Sequence, residues 1–280
     1  MGHANTLVRR ARPWLGTIAV IALPAGLETA FEAGFAELAR IHRLMSFHET
    51  TSDLGRLRAA PPNEPVELDP DTIAVLRIAA ELHRETDGLF NIAIARQLVR
   101  DRFLPRMNIA HLGRFGGNAD DIEILDDRHV RLHRRTLIDL GGIAKGYAVD
   151  CAVAALQAAG VDRGIVNAGG DLRVFGKATV PVEVRMAPGA YSAAFALANG
   201  AIASSENTRT RRSSRGHPAT PHIGRDGRCI AIDEAVTVMA SSCVIADAMT
   251  KVAMVDPDLA DRLLAKHDGQ VVRFEHDEVA

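Results

Sequence analysis

The first apolar block of the chain, Gly16-Thr17-Ile18-Ala19-Val20-Ile21-Ala22-Leu23, is short and rich in β-branched residues, and it predicts a core strand. Phe31, Phe35, Leu38 and Met45 then recur at the period of one helix face and predict a helix from about Glu28 to Met45. Thr51-Ser52-Asp53 starts a short helical turn, and Ala59-Ala60-Pro61-Pro62-Asn63 breaks the chain at a candidate subdomain seam near 59–65. Ile73, Leu76, Ala80 and Leu82 predict a second helix, Asp71 to Thr86, stopped by Asp87-Gly88. Ile122 to Leu125 and Val130 to Leu132, joined through Asp126-Asp127, read as a hairpin. Thr136 to Asp139 is strand-like, and after a glycine turn a helix runs from about Tyr147 to Ala159, closed by Gly160. Further strands are expected at Ile165 to Val174, Val180 to Met186, Ala201 to Ala203, near Cys229 and at Ala235 to Val238. Asn207 to Ala219 reads as a polar loop, and Ser242 to Val255 as a last helix. Strands outnumber helices without regular alternation, so the expected class is α+β in a single domain.

Composition narrows the function. With 33 Lys+Arg against 35 Asp+Glu the formal charge is −2, which argues against a bulk nucleic-acid binder. Aromatics make up 4% of the chain, too few for a base-stacking platform. Cys151, Cys229 and Cys243 are sparse and odd in number, giving neither a disulfide framework nor a zinc site. Val8-Arg9-Arg10-Ala11-Arg12 before the uncharged stretch Pro13 to Leu27 imitates a twin-arginine signal. Pro24 and Gly26 interrupt that stretch, and it is shorter than the roughly 20 apolar residues of a membrane span, so a cytoplasmic enzyme or binding domain without a transmembrane segment is expected.

Four segments carry candidate chemistry. In Ile138-Asp139-Leu140-Gly141-Gly142-Ile143-Ala144-Lys145-Gly146-Tyr147 a strand end delivers a carboxylate, two glycines allow close backbone approach, and Lys145 sits at a helix start where anions are favoured. The alternative there is a tight turn with a solvated lysine. Val166-Asn167-Ala168-Gly169-Gly170-Asp171-Leu172 is a second glycine turn, able to offer backbone N–H groups to phosphate or simply to reverse the chain. Asp247 and Thr250, three apart on a helix, can present a carboxylate and a hydroxyl to one hard cation, Mg²⁺ or Ca²⁺ rather than zinc. Asp247 and Lys251 form the competing i,i+4 pair. Arg209, Arg211, Arg212 and Arg215 lead toward His222, as a phosphate grip or as solvated surface.

In this order the segments resemble the ApbE-type flavin transferases (FAD:protein FMN transferases), over nearly the whole chain. Leu44-Met45-Ser46, Ser52-Asp53-Leu54, Asp87-Gly88-Leu89-Phe90-Asn91, Asp139 to Gly146, Asn167 to Asp171 and Ala246-Asp247-Ala248-Met249 carry the resemblance. It implies a T-fold-like α+β architecture of mostly antiparallel sheets with packed helices. It also implies an enzyme that cleaves the FAD pyrophosphate and attaches FMN to a Thr or Ser of an acceptor protein, releasing AMP. The alternatives are an FAD pyrophosphatase and a non-catalytic FAD-binding accessory protein. Many members are periplasmic or lipid-anchored, but no lipobox cysteine is seen here.

Carried over residue by residue, the resemblance assigns FAD contacts to His48, Leu89, Phe90, Asn91, Asp139, Lys145 and Ile223, with Gly169 and Gly170 as the second glycine turn. It assigns Mg²⁺, with Ca²⁺ as the other hard cation, to the Gly142 carbonyl, Asp247 and a hydroxyl near Thr250. The base falls on His222, and Asp247 joins it in the catalytic set. Two departures stand out. The family's His-Ile-Ile-Asp-Pro-x-Thr-Gly is here His222-Ile223-Gly224-Arg225-Asp226-Gly227, without Asp-Pro. The family threonine four places after the aspartate is here Lys251, with Thr250 about 100° away around the helix.

Overall fold

The computed structural model describes residues 7–272 except 178, 186–191, 208–210, 215–216, 226 and 231–234. The first half runs β1 (Leu7–Trp14), β2 (Thr17–Pro24), α1 (Phe31–Met45), α2 (Asp53–Ala59), β3 (Pro65–Glu67), α3 (Pro70–Glu85), α4 (Ala95–Arg100), β4 (Ile122–Ile124), β5 (His129–Leu132) and α5 (Ala144–Ala158). The second half runs β6 (Gly164–Ala168), β7 (Asp171–Phe175), β8 (Val180–Arg185), β9 (Ser192–Leu197), β10 (Gly200–Ser205), β11 (Arg212–Ser214), β12 (His217–Ala219), β13 (Val236–Ala240), α6 (Cys243–Ala253), α7 (Pro257–Leu264) and β14 (Gln270–Val272).

Seven strands form one antiparallel sheet in the order β1-β2-β6-β7-β10-β13-β14. The period-two rule sorts its side chains. On β7 and β10, Phe175, Ala201 and Ala203 face the main core, whereas Val174 and Ile202 face the β8–β9 hairpin through Val182 and Leu197. Helices α1, α5 and α6 cover the first face, with Phe31, Phe35, Leu38, Leu156 and Met249 all buried. A smaller sheet, β3-β5-β4, lies beside α3. The architecture is therefore the expected α+β class.

Several elements differ from the sequence pattern, each for a physical reason. The basic stretch Val8 to Arg12 is edge strand β1, whose Arg10 and Arg12 lie over the rings of Phe31 and Phe35 at 4.8 and 4.6 Å. Thr136 to Asp139 joins no sheet; the Asp139 N–H donates to the Ile92 carbonyl instead. Ile165 to Val174 is two strands, because Gly169 and Gly170 take φ of +67° and +104° and reverse the chain. The strand near Cys229 is a single bridge to Ile223, and the Asn207 to Ala219 loop contains the β11–β12 hairpin. Met186, Arg209 and Arg215 fall outside the described residues.

Helix α5 begins at Ala144, earlier than expected from Tyr147, so Lys145 and Gly146 stand in its first turn. Glycine is a poor helix residue, which hid this start. Here it is required, because a Cβ at Gly146 would lie 2.2 Å from the Cys243 carbonyl oxygen of α6. Gly146→Ala should therefore push α5 off α6 and lower stability by about 1–3 kcal/mol, the usual cost of overpacking. Urea unfolding of the variant against the parent protein measures it.

Candidate functional site

The site is built on the contact between α5 and α6. Ser242, at the start of α6, makes no side-chain cap. Asp150 of α5 does this instead, its carboxylate accepting from the N–H groups of Cys243 and Val244 at 3.0 and 2.9 Å. Arg173 of β7 donates to the same carboxylate at 2.5 Å. Nothing in the local sequence marks Asp150, because its partners lie 93 and 94 residues further on.

Asp247, one turn into α6, is fully buried. Its Oδ2 accepts from the Gly146 N–H at 3.1 Å, and its Oδ1 from Lys251 Nζ at 2.5 Å. Lys145 Nζ lies 3.7 Å from Oδ2 and donates to Asp171 Oδ2 at 2.5 Å. Burial alone would raise the Asp247 carboxyl, but Lys145 and Lys251 outweigh it and hold it below the ordinary range. Burial and the repulsion of Asp247 push Asp171 up, against the pull of Lys145. Burial would lower the Lys145 ammonium, but Asp247 and Asp171 raise it above the usual lysine range, so it is charged at neutral pH. Lys145 is thus an engaged cation of the site, and of the two alternatives for Asp247 the structure shows the i,i+4 pair.

Above this knot the protein opens into two adjoining hollows of about 350 and 530 Å³, which share Leu98, Asp139, Gly141, Lys145 and Pro221 as common wall. The smaller gathers most of the expected contacts: Leu89, Phe90, Asn91, Gly142, Gly169 and Ile223, with His222 and Lys251. His48 lines the larger, where Met45 and Phe103 make an apolar wall and Arg211 and Arg212 stand at one side. Asp139 belongs to both, and burial raises its carboxyl above the ordinary range. Gly170 is not brought in. Its N–H is taken by Asn167 Oδ1 at 3.0 Å, and it lines a third hollow that shares Gly169, Ser204, Ser205 and Glu206 with the smaller one.

His222 is held by a residue that sequence reasoning passed over. Asn207, fully buried, donates through Nδ2 to the Ile230 carbonyl at 2.9 Å, which turns its Oδ1 toward His222 Nδ1 at 2.6 Å. An amide oxygen only accepts, so Nδ1 carries the proton and Nε2 is the basic nitrogen. Burial, then Lys251 and Lys145, push the imidazole down to about 4, against the opposing charge of Asp247. In place of the missing Asp-Pro the chain forms a tight turn, with the Gly224 N–H on the Arg228 carbonyl at 2.8 Å. Arg225 ties this turn to the Thr86 carbonyl at 2.9 Å, just before the Leu89-Phe90-Asn91 segment.

The positions that the resemblance gives to a divalent cation do not fit one. Gly142 and Asp247 both touch Lys251, whose Cε lies 3.2 Å from where a Gly142 Cβ would be and whose ammonium occupies Asp247 Oδ1. Thr250 is a correction. Its hydroxyl turns away into the core, donating to the Asp247 carbonyl at 2.7 Å and meeting Ser205 Oγ at 2.7 Å. The rotation of about 100° between neighbouring helix positions explains why Lys251, not Thr250, reaches the cleft. Among the described residues no three His, Cys, Asp or Glu side chains gather in a metal-holding group.

The profile of the ApbE family matches residues 15–274. The chain belongs to the ApbE family. A curated relative, the FAD:protein FMN transferase of Vibrio cholerae serotype O1, is 26% identical over 78% of this chain and 70% of its own. Among solved structures, the flavinyl transferase ApbE of Pseudomonas stutzeri in its apo form superposes with a TM-score of 0.80 at 19% identity, covering 96% of this chain and 92% of that one. The ApbE protein of Thermotoga maritima gives 0.79 at 23% identity, covering 96% and 97%. At these identities the likeness establishes an ApbE fold. Among the described residues no helix is long and apolar enough to cross a membrane.

In this ApbE-family site the depressed imidazole has a consequence for stability. His222 is at about 4 in the folded protein against 6.5 ordinarily, so below pH 6.5 the unfolded chain binds the proton first. The contribution of His222 to stability therefore falls as pH drops from about 6.5 to 4 and is flat above. Between pH 7 and 5, His222→Gln should lose about 2 kcal/mol less than the parent, one pH unit being about 1.4 kcal/mol. Urea midpoints at the two pH values check it.

Proposed function

We propose that the chain transfers FMN from FAD to a Ser or Thr hydroxyl of an acceptor protein, releasing AMP. The observation that carries this is the shape of the cleft: two hollows, partly apolar, meeting at Lys145 and Asp139. That plan suits an elongated ligand with a ring system at each end and a diphosphate between them. The Vibrio cholerae relative is named an FAD:protein FMN transferase, which supports the reading. Leu89, Phe90, Asn91 and Ile223 serve one end of FAD in this reading, and His48 the other. Lys145 meets the diphosphate, beside Gly169 and the Asp139–Gly142 turn. A raised Asp139 carboxyl lessens the repulsion that an ionised one would exert on a phosphate.

The acceptor oxygen attacks the phosphorus on the FMN side. One O–P bond forms, the P–O bond to AMP breaks, and the electron pair leaves with AMP. The hydroxyl proton passes to His222 Nε2, which Asn207 keeps in the accepting tautomer. An imidazole near 4 is a weak base in the empty cleft. Burial is the largest cause of that depression and Lys251 and Lys145 add to it; a bound diphosphate offsets the ammonium part and raises the imidazole by that share. Asp247 acts by holding Lys145 and the first turn of α5 in place.

The resemblance also implies Mg²⁺ or Ca²⁺. Their donor set is incomplete here, as Thr250 and Lys251 show, and the transfer as written uses only the chain's own groups.

Incubation with FAD and a flavin-acceptor protein should yield covalently bound FMN by mass spectrometry and an equal amount of AMP. AMP with free FMN and unlabelled acceptor would overturn transfer in favour of hydrolysis. His222→Ala should slow transfer by about 10²–10⁴-fold, the range of a lost general base, while FAD affinity changes little. A parallel loss of FAD affinity would remove His222 from the base role.

A further inference from the structure

We propose that the Lys251 ammonium takes the place of a divalent cation in this chain, so that the FAD diphosphate is bound and its charge offset without metal. The inference deepens the flavin reading above and rests on it.

Three observations support it. Lys251 Nζ sits at 2.5 Å from Asp247 Oδ1 and 3.0 Å from the Asp247 carbonyl oxygen, so one carboxylate and one backbone oxygen already surround a cation there. The ammonium has three N–H donors; among the described residues Asp247 takes two, and the third is left for a ligand in the cleft that Lys251 lines. Its side chain is 19% exposed, while Asp247 beneath it is fully buried, so the charge is anchored from below and open from above.

The second observation concerns space. The Lys251 Cε packs 3.2 Å from the point where a Gly142 Cβ would stand. A dication held by Gly142 and Asp247 would therefore have to displace the lysine, and it would be repelled by that lysine and by Lys145 on the far side of the carboxylate. The third concerns donors. Thr250, the hydroxyl nearest in sequence, is spent on Ser205 and on the Asp247 carbonyl inside the core. The result is a fixed ammonium where a metal would otherwise bridge protein and phosphate. During transfer Lys251 forms and breaks no covalent bond; it offsets one unit of charge as the electron pair moves onto AMP.

FAD affinity, followed by flavin fluorescence in EDTA and in Mg²⁺, tests this on the intact protein without any variant. Equal affinity in the two buffers is expected. Lys251→Ala should weaken FAD binding by about 10- to 100-fold in either buffer, the scale of a lost hydrogen bond to a charged group. Lys251→Thr restores a hydroxyl on the cleft face; it should bind FAD well only with Mg²⁺, and should bind Mg²⁺ by calorimetry in the absence of flavin, where the parent does not. Thermal unfolding of both variants shows that they are folded. FAD binding by the parent that falls about tenfold or more in EDTA overturns the lysine proposal while leaving the flavin reading intact. Unchanged affinity in folded Lys251→Ala does the same. No FAD binding in either buffer overturns the flavin reading itself, and this proposal with it.

Discussion

A single buried carboxylate organises this molecule. Asp247 lies in α6 with no solvent exposure, and its charge is met by Lys251, by Lys145 and by the Gly146 N–H. A buried charge is tolerable only when so matched, and losing one partner typically costs about 3–5 kcal/mol. Lys145 and Gly146 are consecutive in the first turn of α5, so satisfying Asp247 fixes where that helix begins. Lys145 in turn reaches Asp171, the first residue of β7, directly after the Gly169-Gly170 turn. One ionic knot thereby joins both glycine turns to the α6 helix, with Lys145 and Asp171 lying 26 residues apart in the chain and Gly146 and Asp247 lying 101 apart.

The knot also sets the electrostatics of the cleft. Asp171 is held above its ordinary range by burial and by the repulsion of Asp247, whereas Asp247, beside Lys145 and bonded to Lys251 and the Gly146 N–H, is held below. An anion entering the cleft therefore competes with carboxylates for cations that are already in position. That arrangement has little reorganisation left to do when a diphosphate arrives, which is the condition under which fixed charges stabilise a developing charge best. Around it, neutral and ionic struts keep the helices in register. Tyr147 of α5 donates to Asp71 of α3 at 2.5 Å, Arg40 of α1 meets the same carboxylate, and Asp150 caps α6 across the helix interface.

Long periodic segments were legible in the sequence, and so was the glycine-turn pair. Helices α1, α3 and α6 appear within a few residues of where their apolar faces predict them. What stayed hidden depends on contacts remote in sequence. Strand β1 reads as a basic leader because the aromatic rings under Arg10 and Arg12 come from α1. The start of α5 was masked by Gly146, a residue selected by the approach of Cys243 rather than by helix propensity. Asp150 and Asn207, which hold α6 and His222, carry no motif at all. Helix α7 is the exception. Asp256 as cap and Pro257 at the first turn are start signals plain in the local sequence.

The two departures from the family pattern, one at His222 and one at Lys251, belong to one electrostatic system. Lys251 is the first cationic influence on the imidazole after burial itself, ahead of Lys145. A divalent ion in place of the lysine would depress the base further, since it carries twice the charge. In the proposed reading an ammonium offsets the phosphate while depressing the imidazole less than a dication would. The shortened turn after His222 fits the same logic. Arg225 fastens that turn to the Thr86 carbonyl, so the histidine loop is secured by a contact to the opposite wall rather than by a rigid Asp-Pro step. In the proposed reading, Lys251 in the place of a metal and the Arg225-fastened turn after His222 are parts of one device.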